Sequence, residues 1–282
     1  MNVNAKPRFG VLSIFAILVA ALWVFPVYWM FNSSFQSATD INSLTPKWLP
    51  FPGGSLNNYT AVLDPQTGFG NAFWMSIQVT VLSIVVCVVF AFLASLAISR
   101  FKFRGRKSFV IAIILVQMLP AEAMFIAQYK MIAGMDLLNS VLGVSIIYIA
   151  TVIPFTAWML RGFVAGIPAD LEEAAMVDGC TRLGAFMRVT FPLLAPGLVA
   201  SSVFALIQVW NEYALASVLL TQDAKETLPL WLAGFSEPSL SGPVPWGQVM
   251  AGSVLVAIPV MIFFLIVQGR MTQGMVGGAV KG

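Results

Sequence analysis

Along this chain, long apolar runs alternate with short polar stretches, and almost all of the charge sits in the stretches. Six runs cover about Val11 to Phe31, Phe73 to Ser99, Phe109 to Tyr129, Val141 to Leu160, Pro196 to Leu220 and Gln248 to Gln268. Each is close to the ~20 residues an α-helix needs to cross hydrocarbon. The pattern predicts an all-α polytopic membrane protein with six transmembrane helices and both termini on one side. The first run follows Lys6 and Arg8, as a signal peptide would. It exceeds the usual apolar region of ~7–15 residues, and Asn32 to Asp40 offers no small-x-small cleavage site, so it is read as a retained span.

Inside the runs, Pro26, Pro120, Pro154 and Pro259 each remove a backbone donor, which a membrane helix tolerates only where neighbouring helices or cavity water satisfy the freed carbonyl. Small residues recur at four-residue spacing in Ala91, Ser95 and Ser99 and in Gly197, Ser201 and Ala205, the spacing that lets helix backbones approach closely. Both features predict a packed bundle. The long connections are 32–72 and 221–247, and no internal repeat is visible.

Charge sets the orientation, because short cytoplasmic loops hold the excess of Lys and Arg. With the N-terminus inside, the inner segments hold Lys6, Arg8, Arg100, Lys102, Arg104, Arg106, Lys107, Arg161, Arg182, Arg188, Arg270 and Lys281, and the outer segments only Lys47, Lys130 and Lys225. The expected layout is N-in and C-in: a cytoplasmic N-terminus at 1–10, a six-span transmembrane domain at 11–268 with a cytoplasmic loop at 161–195, and a cytoplasmic tail at 269–282. That tail, from Gly274 on, is too polar and glycine-rich to span a membrane or build a core.

Composition removes other classes. Hydrophobic residues make up 59% of the 282 positions and charged residues 10%, against roughly a quarter charged in soluble domains, so the lipid bilayer is the main solvent. Histidine is absent, which excludes Ser-His-Asp and Cys-His catalysis and histidine metal sites, and two cysteines make neither a disulfide framework nor a four-ligand zinc site. No catalytic and no metal-ligating residue is therefore assigned. A net charge of +3 gives no reason to expect a nucleic-acid partner.

The loop at 161–195 reads as a helix-turn-helix. Pro168 sets up a helix start, Asp170 is placed as its cap, and Glu173 three residues on completes a capping box, with Glu172 and Glu173 suited to the positive helix end. Leu171, Ala174, Ala175 and Val177 form an apolar face, and Asp178-Gly179 stops the helix with a residue able to take positive φ. A second short helix is expected from about Thr181 to Thr190, until Pro192 returns the chain to the membrane. Taken alone, such a loop either packs on its own bundle or meets a soluble partner.

Glu173-Ala174-Ala175, Asp178-Gly179 and Phe191-Pro192-Leu193 resemble the EAA loop of the membrane subunits of bacterial ABC importers. Trp210-Asn211-Glu212-Tyr213, Thr227-Leu228-Pro229 and the ending Gly277-Gly278-Ala279-Val280-Lys281-Gly282 resemble the carbohydrate-importer branch, the group of the second maltose permease subunit. Cys180 and Phe191 stand where Ala and Leu are common in that family. The resemblance implies a multi-pass protein of the bacterial plasma (inner) membrane that forms half of a sugar pathway, for a di- or oligosaccharide. It also implies a second six-span permease, two ATPase subunits that bind ATP and Mg, and an extracytoplasmic sugar-binding protein. Glu172, Glu173, Ala174, Ala175, Asp178 and Gly179 would couple to the ATPases. The chain itself has no Gly-x-x-x-x-Gly-Lys-Ser/Thr loop and is expected to need no cofactor and to be no enzyme.

Two carboxylates fall inside runs, Glu122 in the third and Glu212 in the fifth, and buried ionisable residues are functional candidates by default. Gln208, Asn211 and Glu212 would share one helical face at i, i+3 and i+4, with Tyr213 and Trp210 adjacent, a mixture suited to a sugar. The alternative for these groups is that they satisfy one another or kinked backbone. A permease for another solute such as glycerol-3-phosphate remains an alternative reading. So does a secondary transporter, which would typically show broken helices at related positions of two repeats.

Overall fold

A computed structural model describes residues 10–222, 225–237 and 243–279, and among them every regular element is helical. In chain order they are α1 (Val11–Ser34), α2 (Ala38–Ile41), α3 (Asn57–Val62), α4 (Phe69–Arg100), α5 (Arg106–Gln117), α6 (Phe125–Gly134), α7 (Val141–Ala165), α8 (Asp170–Val177), α9 (Arg182–Ala185), α10 (Phe191–Trp210), α11 (Ala214–Leu219), α12 (Leu228–Phe235) and α13 (Trp246–Ala279). Among the described residues, five helices are long and apolar enough to cross a membrane, or six if one bent pair counts as a single span. Contacts divide the chain into two compact units, one running up to Thr67 and over Leu232–Ala257, the other over Gly68–Trp231 and from Ile258 onward.

In the first unit, no residue in the membrane window of α1 is buried, and its exposed Leu, Ile, Phe and Trp suit lipid or another helix. Order collects at its end, where Asn32 Nδ2 and Gln36 Nε2 both donate to the Lys47 carbonyl at 2.8 Å. Asn58 Nδ2 donates to the carbonyls of Ser34 and Gln36 at 2.9 Å, closing α3 onto the same turn. Gly247, in α13, leaves the space that Asn58 occupies: a Cβ there would lie 2.6 Å from its amide.

The second unit is built on α4, α7 and α10. Met75, Val79, Cys87, Val144, Tyr148, Val152, Ala205 and Val209 form its core, continued toward the other end of the helices by Ala91, Ala157 and Leu160. The small-residue stripes lie where the sequence spacing predicts contact: Ala91, Ser95, Ser201 and Ala205 are fully buried. A Cβ on Gly197 would sit 2.5 Å from the Phe163 ring, so α10 approaches α7 closer there than any other residue allows. The outward positions of α4, such as Val81, Val85, Val89 and Leu93, are exposed and apolar.

Three runs depart from the expected spans. The third is not one helix, because α5 and the segment Ala121–Gly134 meet at 92°. Met118 and Leu119 donate to the carbonyls three residues back, and Pro120, with no N–H, lets the chain turn into a 3₁₀ turn at Ala121–Met124. The fifth run is cut at Asn211–Tyr213, which separates α10 from α11. The last helix does not stop at 268 but keeps helical backbone through Ala279; residues 280–282 of the expected tail lie outside the described residues. Lys6 and Arg8 also lie outside them.

Candidate functional site

Two of the places that assemble polar groups among the described residues hold the candidates read from the sequence, and the first is the helix-turn-helix at 170–190. Its start differs from the capping box. Ala169 occupies the cap with φ −66° and ψ −26°, already helical, so Asp170 is the first helical residue and caps nothing. A capping side chain needs extended backbone, which Ala169 does not have. The N–H groups of Glu172 and Glu173 both donate to the Ala169 carbonyl, at 2.9 and 3.2 Å. Asp170, Glu172 and Glu173 still lie in the first turn, where the helix dipole favours negative charge.

Its end agrees with the sequence expectation. Gly179 has φ +92°, its N–H donates to the Met176 carbonyl at 3.1 Å, and Cys180 N–H reaches the Ala175 carbonyl at 3.0 Å. This pair of bonds is a Schellman motif with glycine in the left-handed position. Thr181 then caps α9 by accepting from Gly184 N–H at 3.1 Å. Pro192 does not interrupt the helical backbone around it. A π turn at Phe186–Thr190 runs directly into α10, with Phe191 N–H donating five residues back to Phe186, so Arg182–Trp210 is one continuous apolar rod.

The two glutamates of α8 face opposite ways. Glu172 turns inward, where its Oε1 accepts from Thr190 Oγ1 at 2.8 Å and lies 3.3 Å from Arg100 Nη2. One carboxylate oxygen thus ties α8 to the end of α4 and the root of α10. Glu173, Ala174 and Asp178 are exposed and Ala175 is half-buried. The outward surface also carries apolar side chains, with Leu171, Met176, Leu183 and Met187 exposed and Val177 at 87%.

The second place is a cavity of about 130 Å³ bounded by the bent segment, α7 and the α10–α11 break. Glu122, Gln128, Tyr148, Thr151, Gln208 and Glu212 supply its polar wall. The structure thereby brings Glu122, Gln208 and Glu212 together. It leaves Asn211 and Tyr213 outside: α10 ends at Trp210, so the shared helical face does not reach Asn211, whose Nδ2 donates back to the Ile207 carbonyl at 2.8 Å. Trp210 is buried and lines a separate apolar cavity with Thr80, Leu206 and Pro259.

Glu212 is held from three sides. Its Oε1 accepts from Leu215 N–H at 2.7 Å, and its Oε2 from Ala216 N–H at 3.0 Å and from the Tyr148 hydroxyl at 2.5 Å. The carboxylate satisfies two orphan donors of α11 and links that helix to α7. The reading that these polar groups satisfy kinked backbone is therefore realised at Glu212, although the residue also lines the cavity. Gln128 is different, since its Oε1 is buried beside the cavity with no hydrogen-bond partner. Sequence reasoning missed Gln128, Tyr148 and Thr151. They are uncharged, and it is the 92° bend that brings Gln128 to Tyr148 and Thr151 of α7.

Residues 88–276, which include both places, match the family described as binding-protein-dependent transport system inner membrane component. The chain is 42% identical to the diacetylchitobiose uptake system permease protein DasC of Streptomyces coelicolor, over 92% of each chain. It is 33% identical to the trehalose/maltose transport system permease protein MalG of Thermococcus litoralis, over 95% of each. Its fold is that of a chain in a solved bacterial ABC transporter involved in the import of the acidic polysaccharide alginate, with a TM-score of 0.76 at 24% identity over 95% of this chain and 99% of that one.

Proposed function

The chain belongs to the family of binding-protein-dependent transport system inner membrane components, multi-pass membrane proteins that serve as permease subunits of ABC importers, and from that premise we propose that it forms half of an oligosaccharide pathway and is driven through the 170–190 segment. In this reading the chain sits N-in and C-in with six spans, the bent pair counting as one. A second six-span permease completes the pathway, two ATPase subunits bind ATP and Mg, and an extracytoplasmic sugar-binding protein delivers the substrate.

The observation that carries the coupling reading is the two-sidedness of α8. Glu172 roots it to Arg100 and Thr190, while Val177, Met176 and Leu171 are exposed. A lever must be stiff where it joins the moving helices and adhesive where it is pushed. Hydrolysis in a partner shifts the permease only if the docked surface makes different contacts in two global states. Glu173, Ala174, Ala175, Asp178 and Gly179 supply the shape of that surface.

For the pathway, Glu122, Gln128, Gln208, Thr151 and Glu212 offer the hydrogen-bonding wall a neutral sugar needs. At about 130 Å³, the space falls below the ~300 Å³ lower end of ordinary ligand pockets, so this chain alone does not enclose a disaccharide. The rest of the wall then comes from the second permease, as expected of a half-pathway. Relatives named for diacetylchitobiose and for trehalose/maltose support a disaccharide or longer substrate.

Gly179→Val tests the lever. The open space around Gly179 means that the substitution strains only the backbone, by roughly 1–2 kcal/mol for an L-residue at left-handed φ and more for a β-branched one. The variant is expected to insert normally but to lose ATPase copurification and sugar-stimulated hydrolysis. Normal values of both would remove the coupling assignment.

A further inference from the structure

The link between α4 and α5 is only the five residues 101–105, and it joins a long apolar span to the first half of the bent pair. A chain of that length reaches at most ~17 Å when fully extended, so connectivity pins it at the membrane surface. Its composition is unusual for a turn. Of the eight residues 100–107, five are basic, interleaved with Phe101 and Phe103. Both rings are exposed, at 59% and 44%, and Phe101 also borders a groove with Glu172, Arg182 and Leu183. Arg100 is committed to Glu172. Lys102, Arg104, Arg106 and Lys107 have no ion pair among the described residues, and no acidic residue stands in the first turn of α5.

We propose that this segment is a binding site for anionic phospholipid headgroups: Lys102, Arg104, Arg106 and Lys107 engage phosphate-bearing headgroups while Phe101 and Phe103 insert at the headgroup–acyl boundary. Four cations within the six residues 102–107, without an ion pair among the described residues, would repel one another, and an anionic leaflet would supply counter-charge. A basic residue near such a surface gains about 1 kcal/mol, and the attraction fades within a Debye length of roughly 8 Å at physiological salt. The rings fit the same occupant, because an aromatic edge at the interface rests on acyl carbon while its flanking cations reach phosphate. The proposal also bears on the lever: Arg100, which opens the segment, holds Glu172, so lipid bound here sits beside the root of α8.

The test uses the full chain in nanodiscs of phosphatidylcholine with a minor fraction of phosphatidylglycerol, reading retained lipid by native mass spectrometry. The comparison variant carries Lys102→Gln, Arg104→Gln, Arg106→Gln and Lys107→Gln, and a second carries the charge-conserving exchanges Lys102→Arg, Arg104→Lys, Arg106→Lys and Lys107→Arg. The native chain is expected to retain phosphatidylglycerol over phosphatidylcholine, the Gln variant to lose that preference by about tenfold or more, and the charge-conserving variant to keep it. Matching preference in the native chain and the Gln variant would overturn the site. Displacement of the lipid by millimolar inorganic phosphate would show a free-phosphate site instead, which also overturns it. So would a Gln variant that keeps the lipid preference and fails only to copurify the ATPase, since that result assigns the segment to a protein partner.

Discussion

Glu172 and Glu173 are neighbours of one residue type, yet the structure gives them opposite work. Glu172 holds Arg100 and Thr190 with a single oxygen, whereas Glu173 projects into solvent. Removing the first leaves a guanidinium that is only 20% exposed without its counter-charge, and removing the second leaves nothing unpaired. Glu172→Ala is accordingly expected to lower stability in detergent by about 1–3 kcal/mol, read as the unfolding midpoint. Glu173→Ala should stay within ~0.5 kcal/mol of the native protein while weakening ATPase association. Equal midpoints for the two variants would show that the Glu172 tie carries no stability. The sequence marks both as helix-start acids but not their facing, because the partner that turns Glu172 inward arrives from the far end of α4. Gly179 was legible for the opposite reason: its left-handed φ arises from local chain chemistry after Asp178.

Helices in this chain break where side chains offer the backbone an alternative. After Trp210, Glu212 takes the N–H groups of Leu215 and Ala216, so α11 begins as a new helix inside what reads as one apolar run. After Gln117, Pro120 withdraws a donor and the chain turns through 92°. Run lengths place the spans because transfer into lipid depends on composition summed over ~20 residues. The breaks escape such a sum, since one carboxylate or one imino acid decides them. A Gln at 212 keeps one acceptor for α11 and can donate its amide to the Tyr148 hydroxyl oxygen, losing one of the two N–H bonds, while Ala leaves two donors and a hydroxyl unpaired. Glu212→Gln should therefore retain much of the sugar uptake, and Glu212→Ala should lose uptake together with about 1–2 kcal/mol of stability. Native uptake and melting in the Ala variant would make the residue incidental.

For the whole molecule, orientation rests on the basic residues, twelve of which fall on the proposed cytoplasmic side and three outside. A background with Cys87 and Cys180 replaced allows single cysteines at Lys47 or Asp178 to be labelled with a membrane-impermeant maleimide. Position 47 is expected to label in intact spheroplasts and position 178 only after permeabilisation; the reverse pattern would invert the assignment. If the orientation holds, the exposed apolar flank of α8 lies on the side where an ATPase subunit can reach it. The most direct measurement is site-specific photocross-linking from position 177, whose valine is 87% exposed, in membranes containing the assembled transporter, with position 74, an exposed Trp in α4, as the control. The account predicts an adduct between position 177 and the ATPase subunit that forms in different yield with and without ATP, and none from position 74. The absence of any ATPase adduct at 177 in an assembled, transporting complex would contradict it.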